Sequence, residues 1–232
     1  METFEEPPPS GDAGAVVVGV DLGASKVALM ATDAASGDDL AHDRFPTPAD
    51  IGPDAMIEQL CDAILTLVEQ AGRSPDALCA FGVAVPGPVD VRNGRVILAG
   101  NLHGWVDVPL RATLHHQLDI PAWVDQDAKA AALGERWRGC ATAMETFVFL
   151  ALGTGIGAGL FINGQLHRGR HHGASEVGNV VMGREYLGRE RIARELARPP
   201  ALMGSVLGED AQLFGATFGA LQVLKEENDR TQ

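Results

Sequence analysis

The sequence predicts an α/β protein whose two halves repeat one architecture around a cleft. Three observations carry this expectation. Apolar, β-branched runs typical of buried strands recur along the chain, beginning with Val16 to Val20, "VVVGV". Stretches with helical spacing of apolar residues separate them. The opening pattern of strand, glycine-rich turn, strand, turn and strand returns after Glu145. Identity between the halves is slight, so the repeat is one of architecture.

Taken in order, residues 1–14 are acidic and proline-rich, "METFEEPPPSGDAG", and read as a disordered tail. An N-terminal α/β lobe is expected over 15–125. "VVVGV" is its first strand, "DLGASK" the turn, "VALMATD" the second strand and "LAHDRFPTP" the third. Asp54 to Glu69 is a helix, with Met56, Leu60, Ile64 and Leu67 on one face. "LCAFGVAV" is a strand stopped by Pro86-Gly87-Pro88, and Asn93-Gly94 signals a hairpin. "VPLRATLHHQL" is a short helix and "IPAWVDQD" a strand. A C-terminal lobe is expected over 126–232. It starts with an alanine-rich helix at 128–137, then strands "ETFVFLALG", "GAGLFING" and "QLHRGR". "REYLGRERIARELARPP" is charged and helix-like, ending at Pro199-Pro200. Gly208 to Glu227 is a last helix whose apolar face is supplied by Leu207, Leu213, Phe214, Phe218, Leu221 and Leu224. Glu209 and Asp210 near its start suit the helix dipole.

Composition narrows the function. The 232 residues are 46% hydrophobic and 21% charged, with a formal net charge of −13. So acidic a chain has no electrostatic case for a nucleic-acid backbone or an anionic membrane. A phosphate site must then work locally, through backbone N–H groups and a metal ion. Cys61, Cys79 and Cys140 are scattered without a CxxC spacing. They indicate neither a disulfide framework nor a zinc knuckle, and suit a reducing cytoplasm. No signal peptide is evident, and no apolar run approaches the ~20 residues that span a bilayer.

Chemistry concentrates in two glycine turns. In "LGTGIGAGLFING", glycines fall at 153, 155, 157 and 159. Gly153 to Ala158 matches GxGxxA, but the dinucleotide fingerprint needs a helix directly after the loop. Alternating apolar residues and Asn163-Gly164 follow instead, which predict a β-hairpin. A glycine hairpin brings backbone amides close to phosphate oxygens; the blander reading is a tight hairpin whose glycines relieve crowding. In "DLGASK", Asp21 ends a buried strand, where an unpaired carboxylate is costly unless it meets a cation such as Mg²⁺. Gly23, Ala24 and Ser25 are small enough for close phosphate approach. The bland alternative is a strand-end hairpin.

In combination these stretches resemble the ROK family of bacterial sugar kinases and sugar-responsive repressors. "DLGASK", "VPGPVD…NLHGW", "WVDQDAKAAALGE" and "LGTGIGAGLFINGQLHRG" occur in the family's order, from about Val16 to Val181, followed by "GASEVGN". The resemblance implies a duplicated actin-like ATPase (ribonuclease H-like) fold. It also implies glucokinase-like transfer of the ATP γ-phosphoryl group to a hexose hydroxyl, the 6-hydroxyl of glucose or a similar sugar. ATP and Mg²⁺ are the implied cofactors. Asp127 stands where the family has its catalytic base; the bland reading is a helix N-cap. Asp21, Gly23, Ala24, Ser25 and Lys26 would hold Mg²⁺ and phosphates, with Gly153, Thr154 and Gly155 opposite. Asn101, Gln126, Asp127, Glu176 and Asn179 would bind the sugar.

The sequence also departs from the family. Gln126 replaces an Asn, and Asn179 a His that joins zinc and sugar binding. The cysteine-rich zinc loop is missing, so His167, His171 and His172 read as polar loop residues and no zinc is expected. Between Val181 and Gly208 only some 26 residues replace a longer family segment that cradles adenosine. The expectation is a C-terminal lobe short of core, with exposed apolar surface. Nucleotide binding is then weak or completed by a second copy in a homodimer. The rival readings are a catalytically silent sugar-binding or regulatory relative, and a shortened chain that does not fold stably alone. A DNA-binding repressor is disfavoured, because about 15 residues precede the first strand, too few for a helix-turn-helix.

Overall fold

The computed structural model describes residues 14–48, 50–153, 155–179 and 203–231. The tail at 1–13, Thr154, the Asn179 side chain and the charged segment at 184–200 lie outside the described residues. Five strands form the main sheet: β1 (Val16–Leu22), β2 (Lys26–Asp33), β3 (Asp39–Pro46), β4 (Leu78–Val85) and, later in the chain, Ala122–Gln126. Between β4 and that last strand lie β5 (Val89–Asp90), β6 (Arg95–Leu98) and β7 (Val106–Val108), so the fifth strand is β8. The order is β3-β2-β1-β4-β8, with β1, β4 and β8 parallel and β2 and β3 antiparallel. β5, β6 and β7 make a small sheet, with Gly94 at positive φ in the expected turn.

The helices are α1 (Pro53–Gln70), α2 (Leu110–Leu118), α3 (Asp127–Arg138) and α4 (Ala211–Thr231). Val16, Val18, Val20 and Leu22 face α1, where Met56, Leu60, Ile64 and Leu67 are all buried as the spacing predicts. Burying each such side chain stabilises by about 1.5–3 kcal/mol. α4 covers the other face of the sheet and packs on α3 as well. Glycines permit its close approach. A Cβ at Gly19 would lie 2.8 Å from the Leu213 carbonyl oxygen, and one at Gly215 would lie 2.9 Å from Ala130 Cα. Glu209 and Asp210 do more than complement a dipole: they pair with Lys26, at 2.6 Å, and Arg44. They thus pin the start of α4 to the β2–β3 edge.

A third sheet, β11-β10-β9, contains β9 (Phe147–Leu152), β10 (Ile156–Ile162) and β11 (Gln165–Leu166). Asn163 and Gly164 both take positive φ, forming the predicted hairpin rather than a dinucleotide-binding turn and helix. The expected strand "QLHRGR" shrinks to Gln165–Leu166: the His167 N–H still donates to the Leu160 carbonyl of β10, and Arg168 beyond it pairs with Asp125. One face of this sheet packs on α3, with Phe147 and Phe161 stacked at 4.8 Å. The other leaves Val148, Leu150, Leu152 and Ile156 between 52% and 79% exposed, the apolar surface expected of an abbreviated lobe. No described helix is long and apolar enough to cross a membrane.

Candidate functional site

The parallel strands set the site. Asp21 on β1 is in register with Ala84 on β4, and Ala84 with Asp125 on β8. The carboxyl ends of these strands therefore lie side by side, the usual place for a ligand in an open α/β sheet. Gln126 ends β8, and Asp127 begins α3 directly after it. Asp127 is not an N-cap. It is the first helical residue, and its Oδ1 accepts the Ala128 N–H at 2.6 Å, while Gln126 occupies the cap position.

Asp21 is nearly buried. Burial foremost, then the charge of Asp127, lifts its carboxyl to about 7, against the pull of Lys26 and Arg44. Asp127 is also raised, mainly by burial and further by Glu176; the Ala128 amide and Lys129 oppose the shift. A buried carboxyl whose ionisation a neighbouring carboxylate opposes makes a place for a cation. A single strand-end carboxylate suits Mg²⁺, which completes its shell with phosphate and water oxygens.

The turn after Asp21 is tight. Gly23 N–H donates to the Lys26 carbonyl at 2.9 Å, and Thr47 Oγ1 donates to the Gly23 carbonyl at 2.7 Å. Ala24 and Ser25 are exposed at its tip. Lys26, read from sequence as a phosphate ligand, pairs with Glu209 at 2.6 Å.

The four glycines of the second turn divide into two pairs. A Cβ at Gly153 or Gly155 would meet nothing within 4 Å, whereas one at Gly157 would lie 2.8 Å from Ala128 Cβ. At Gly159 it would lie 2.7 Å from the Ala128 carbonyl oxygen and collide with Ala132. Gly157 and Gly159 therefore let β10 pack on α3, and only Gly153 and Gly155 leave open space. Crowding explains half of the loop. The same packing sets the base of the turn against the residue after Asp127.

A loop over 167–177 closes the other side. The Arg168 guanidinium pairs with fully buried Asp125 at 2.8 and 3.0 Å. The Lys129 ammonium, 1% exposed on α3, donates to the His172 carbonyl at 2.9 Å and lies 3.5 Å from Glu176 Oε1. His172 Nε2 lies 3.7 Å from Asp90. His172 and Ser175 both adopt positive φ, a strain that persists where the surroundings hold it, commonly at ligand sites. Three buried polar atoms collect here without a hydrogen-bond partner: Gln126 Oε1, Glu176 Oε1 and His172 Nδ1. Buried polar atoms are otherwise nearly always bonded, so this cluster has the character of a site awaiting hydroxyl donors.

Of the sequence-derived candidates, the fold thus brings Asp21, Gln126, Asp127 and Glu176 into one neighbourhood. Asn101 is exposed in the turn between β6 and β7, with no side-chain hydrogen bond among the described residues. Sequence reading missed Lys129, Asp125 and Arg168. A lysine inside an alanine-rich helix and an aspartate two places before Asp127 were the available signals.

Comparison with known proteins agrees with this arrangement. The family model described as "ROK family" matches residues 17–196. The chain is 30% identical over 171 residues to a xylose repressor of Caldicellulosiruptor bescii, covering 74% of this chain and 42% of the repressor. It is 31% identical over 167 residues to a glucokinase of Halalkalibacterium halodurans, covering 71% and 49%. A ROK family glucokinase from Streptomyces griseus, solved with glucose and AMPPNP, matches with a TM-score of 0.64 at 30% identity, covering 72% of this chain and 50% of that one. The chain spans about half the length of the curated relatives it matches.

Proposed function

Because the chain belongs to the ROK family and has its actin-like ATPase fold, we propose that it is a glucokinase-like sugar kinase. It would use ATP to phosphorylate a hexose, at the 6-hydroxyl. The observation that carries the proposal is a cluster of buried acceptors without a hydrogen bond, Gln126 Oε1 and Glu176 Oε1, the latter ion-paired to Lys129 at 3.5 Å, beside an Asp127 whose pKa is raised. Acceptors without donors match sugar hydroxyls, and a hydroxyl of the wrong stereochemistry would leave one of them unsatisfied. Asn179 and Asn101 would complete the sugar set.

Phosphoryl transfer asks the protein mainly for positioning and charge neutralisation. Asp127 would accept the proton of the attacking hydroxyl, a role suited to a carboxylate whose pKa approaches the working pH. Asp21 would hold Mg²⁺. The Gly23–Ser25 turn and the open Gly153–Gly155 turn, with Thr154, would take the phosphates. ATP with Mg²⁺ supplies the transferred group and neutralises its charge.

A second reading, a catalytically silent sugar-binding or regulatory relative, is favoured by the half-length match and by the xylose repressor among the relatives. The exposed Val148, Leu150, Leu152 and Ile156 support a homodimer that completes the nucleotide site. Incubating the purified chain with MgATP and a hexose panel tests the choice. Phosphorylated hexose detected by mass spectrometry supports the kinase. A folded chain that binds sugar without forming the ester supports the silent relative.

A further inference from the structure

A cleft of about 750 Å³ opens along β8, the edge strand of the main sheet; the 167–172 loop that borders the proposed kinase site forms one wall, and Asp21, Asp127 and Glu176 do not line it. Its walls are the β5–β6 turn, α2, the β10–β11 hairpin, the 167–172 loop and the last turns of α4. The volume is that of a small-molecule site. Its charge is opposite to that of the chain. In a protein of net charge −13, the cleft is lined by Arg92, Arg111, Arg168 and Arg170 together with His167 and His172, against one carboxylate, Glu226.

The arginines are not mutually redundant. Arg168 is neutralised by Asp125. Arg111 donates only to carbonyls, those of Val91 at 3.2 Å and of Arg92, so it keeps its full charge while its guanidinium is fixed in place. Arg92 and Arg170 are exposed at the rim and have no carboxylate partner among the described residues. The cleft therefore carries a net positive charge held partly by an anchored guanidinium. Arginine forks match phosphate oxygens in pairs. Besides aliphatic side chains such as Val124, Leu166 and Val223, the lining includes the Trp123 indole and the amides of Asn163, Gln165 and Gln222, an aromatic wall and hydrogen-bonding groups of the kind that hold a hydroxylated ring.

We propose that this cleft is a second ligand site, which binds a phosphorylated sugar through Arg92, Arg111 and Arg170. The inference does not rest on the kinase reading, because binding is measured without ATP. Isothermal titration would use glucose 6-phosphate, glucose and inorganic phosphate on the full chain. The proteins compared are wild type, Arg92→Gln/Arg170→Gln and Asp127→Asn. Both arginines are exposed, so the double variant should fold as wild type, which its circular dichroism and melting confirm. The expected result is saturable, salt-sensitive binding of glucose 6-phosphate. The double variant should lose roughly tenfold or more, the scale of one charged hydrogen bond, and Asp127→Asn should bind normally. Undiminished binding in the folded double variant would overturn the proposal. So would binding that vanishes in Asp127→Asn, which places the ester in the kinase site. Equal affinity for inorganic phosphate would refute the sugar-phosphate assignment.

Discussion

Replacing Gly159 with alanine should loosen the joint between β10 and α3. The new Cβ would lie 2.7 Å from the Ala128 carbonyl oxygen, where ordinary contact begins at 3.4 Å, so α3 must recede by at least about 0.7 Å. Ala132 stands in the way as well. Forcing a methyl group into a packed joint costs about 1–3 kcal/mol. Alanine recovers about 0.5–1 kcal/mol of that, because glycine loses more backbone freedom on folding. The net loss should be about 1–2 kcal/mol, read as a lower urea midpoint with an unchanged slope. Gly155→Ala is the internal control. Nothing lies within 4 Å of its Cβ, so its midpoint should stay or rise slightly, while affinity for MgATP falls because the methyl group covers the turn amides. Equal stability of Gly159→Ala and wild type would refute the division of the glycines into packing and ligand pairs. So would an equal loss in both variants.

Further outcomes follow from the buried charges. Asp21 holds its proton to about pH 7 in the folded chain, against 3.8 when exposed. Between those values the folded state binds a proton that the unfolded state has released, so stability should fall as pH rises from 4 to 8. The fall is on the order of 4 kcal/mol. Melting in EDTA across that range should show the slope in wild type and a smaller one in Asp21→Asn, where Asp127, also raised, still contributes; the same slope in both would show that Asp21 is not its source. Lys129→Met should free the loop that carries His172 and Glu176 and leave Glu176 without its cation. Stability should drop by about 1–3 kcal/mol, and steady-state kinetics should show KM for the hexose rising more than kcat falls. Arg168→Met strands the Asp125 carboxylate, 1% exposed, and should cost about 3–5 kcal/mol in urea unfolding. Asp125→Asn in the same background should recover part of it.

Much of this was legible in the sequence because the signals are local. "VVVGV" and "LCAFGVAV" are apolar without alternation, and β1 and β4 are parallel strands covered on both faces. Asn163-Gly164 specified a hairpin through its own backbone preference. The spacing of Met56, Leu60, Ile64 and Leu67 gave the buried face of α1. The tethers of the 167–177 loop were not legible. Arg168 meets Asp125 and Lys129 meets His172 across 43 residues, and no local pattern encodes such pairing. The glycine turn was half legible for the same reason: its spacing marks close approach, but whether helix or ligand approaches depends on where α3 lies. The pairing of Lys26 with Glu209 was equally hidden, because the two are 183 residues apart.

The central claim is that Asp127 serves as the base of a sugar kinase. The direct measurement is ATP-dependent hexose phosphorylation by wild type and Asp127→Asn, each first shown by hexose-induced thermal shift to be folded. The account predicts turnover in wild type, and a rate lower by about 10²–10⁴-fold in the variant. Turnover that persists undiminished in Asp127→Asn would contradict the role of that residue. A sugar-binding wild type with no turnover would contradict the kinase itself.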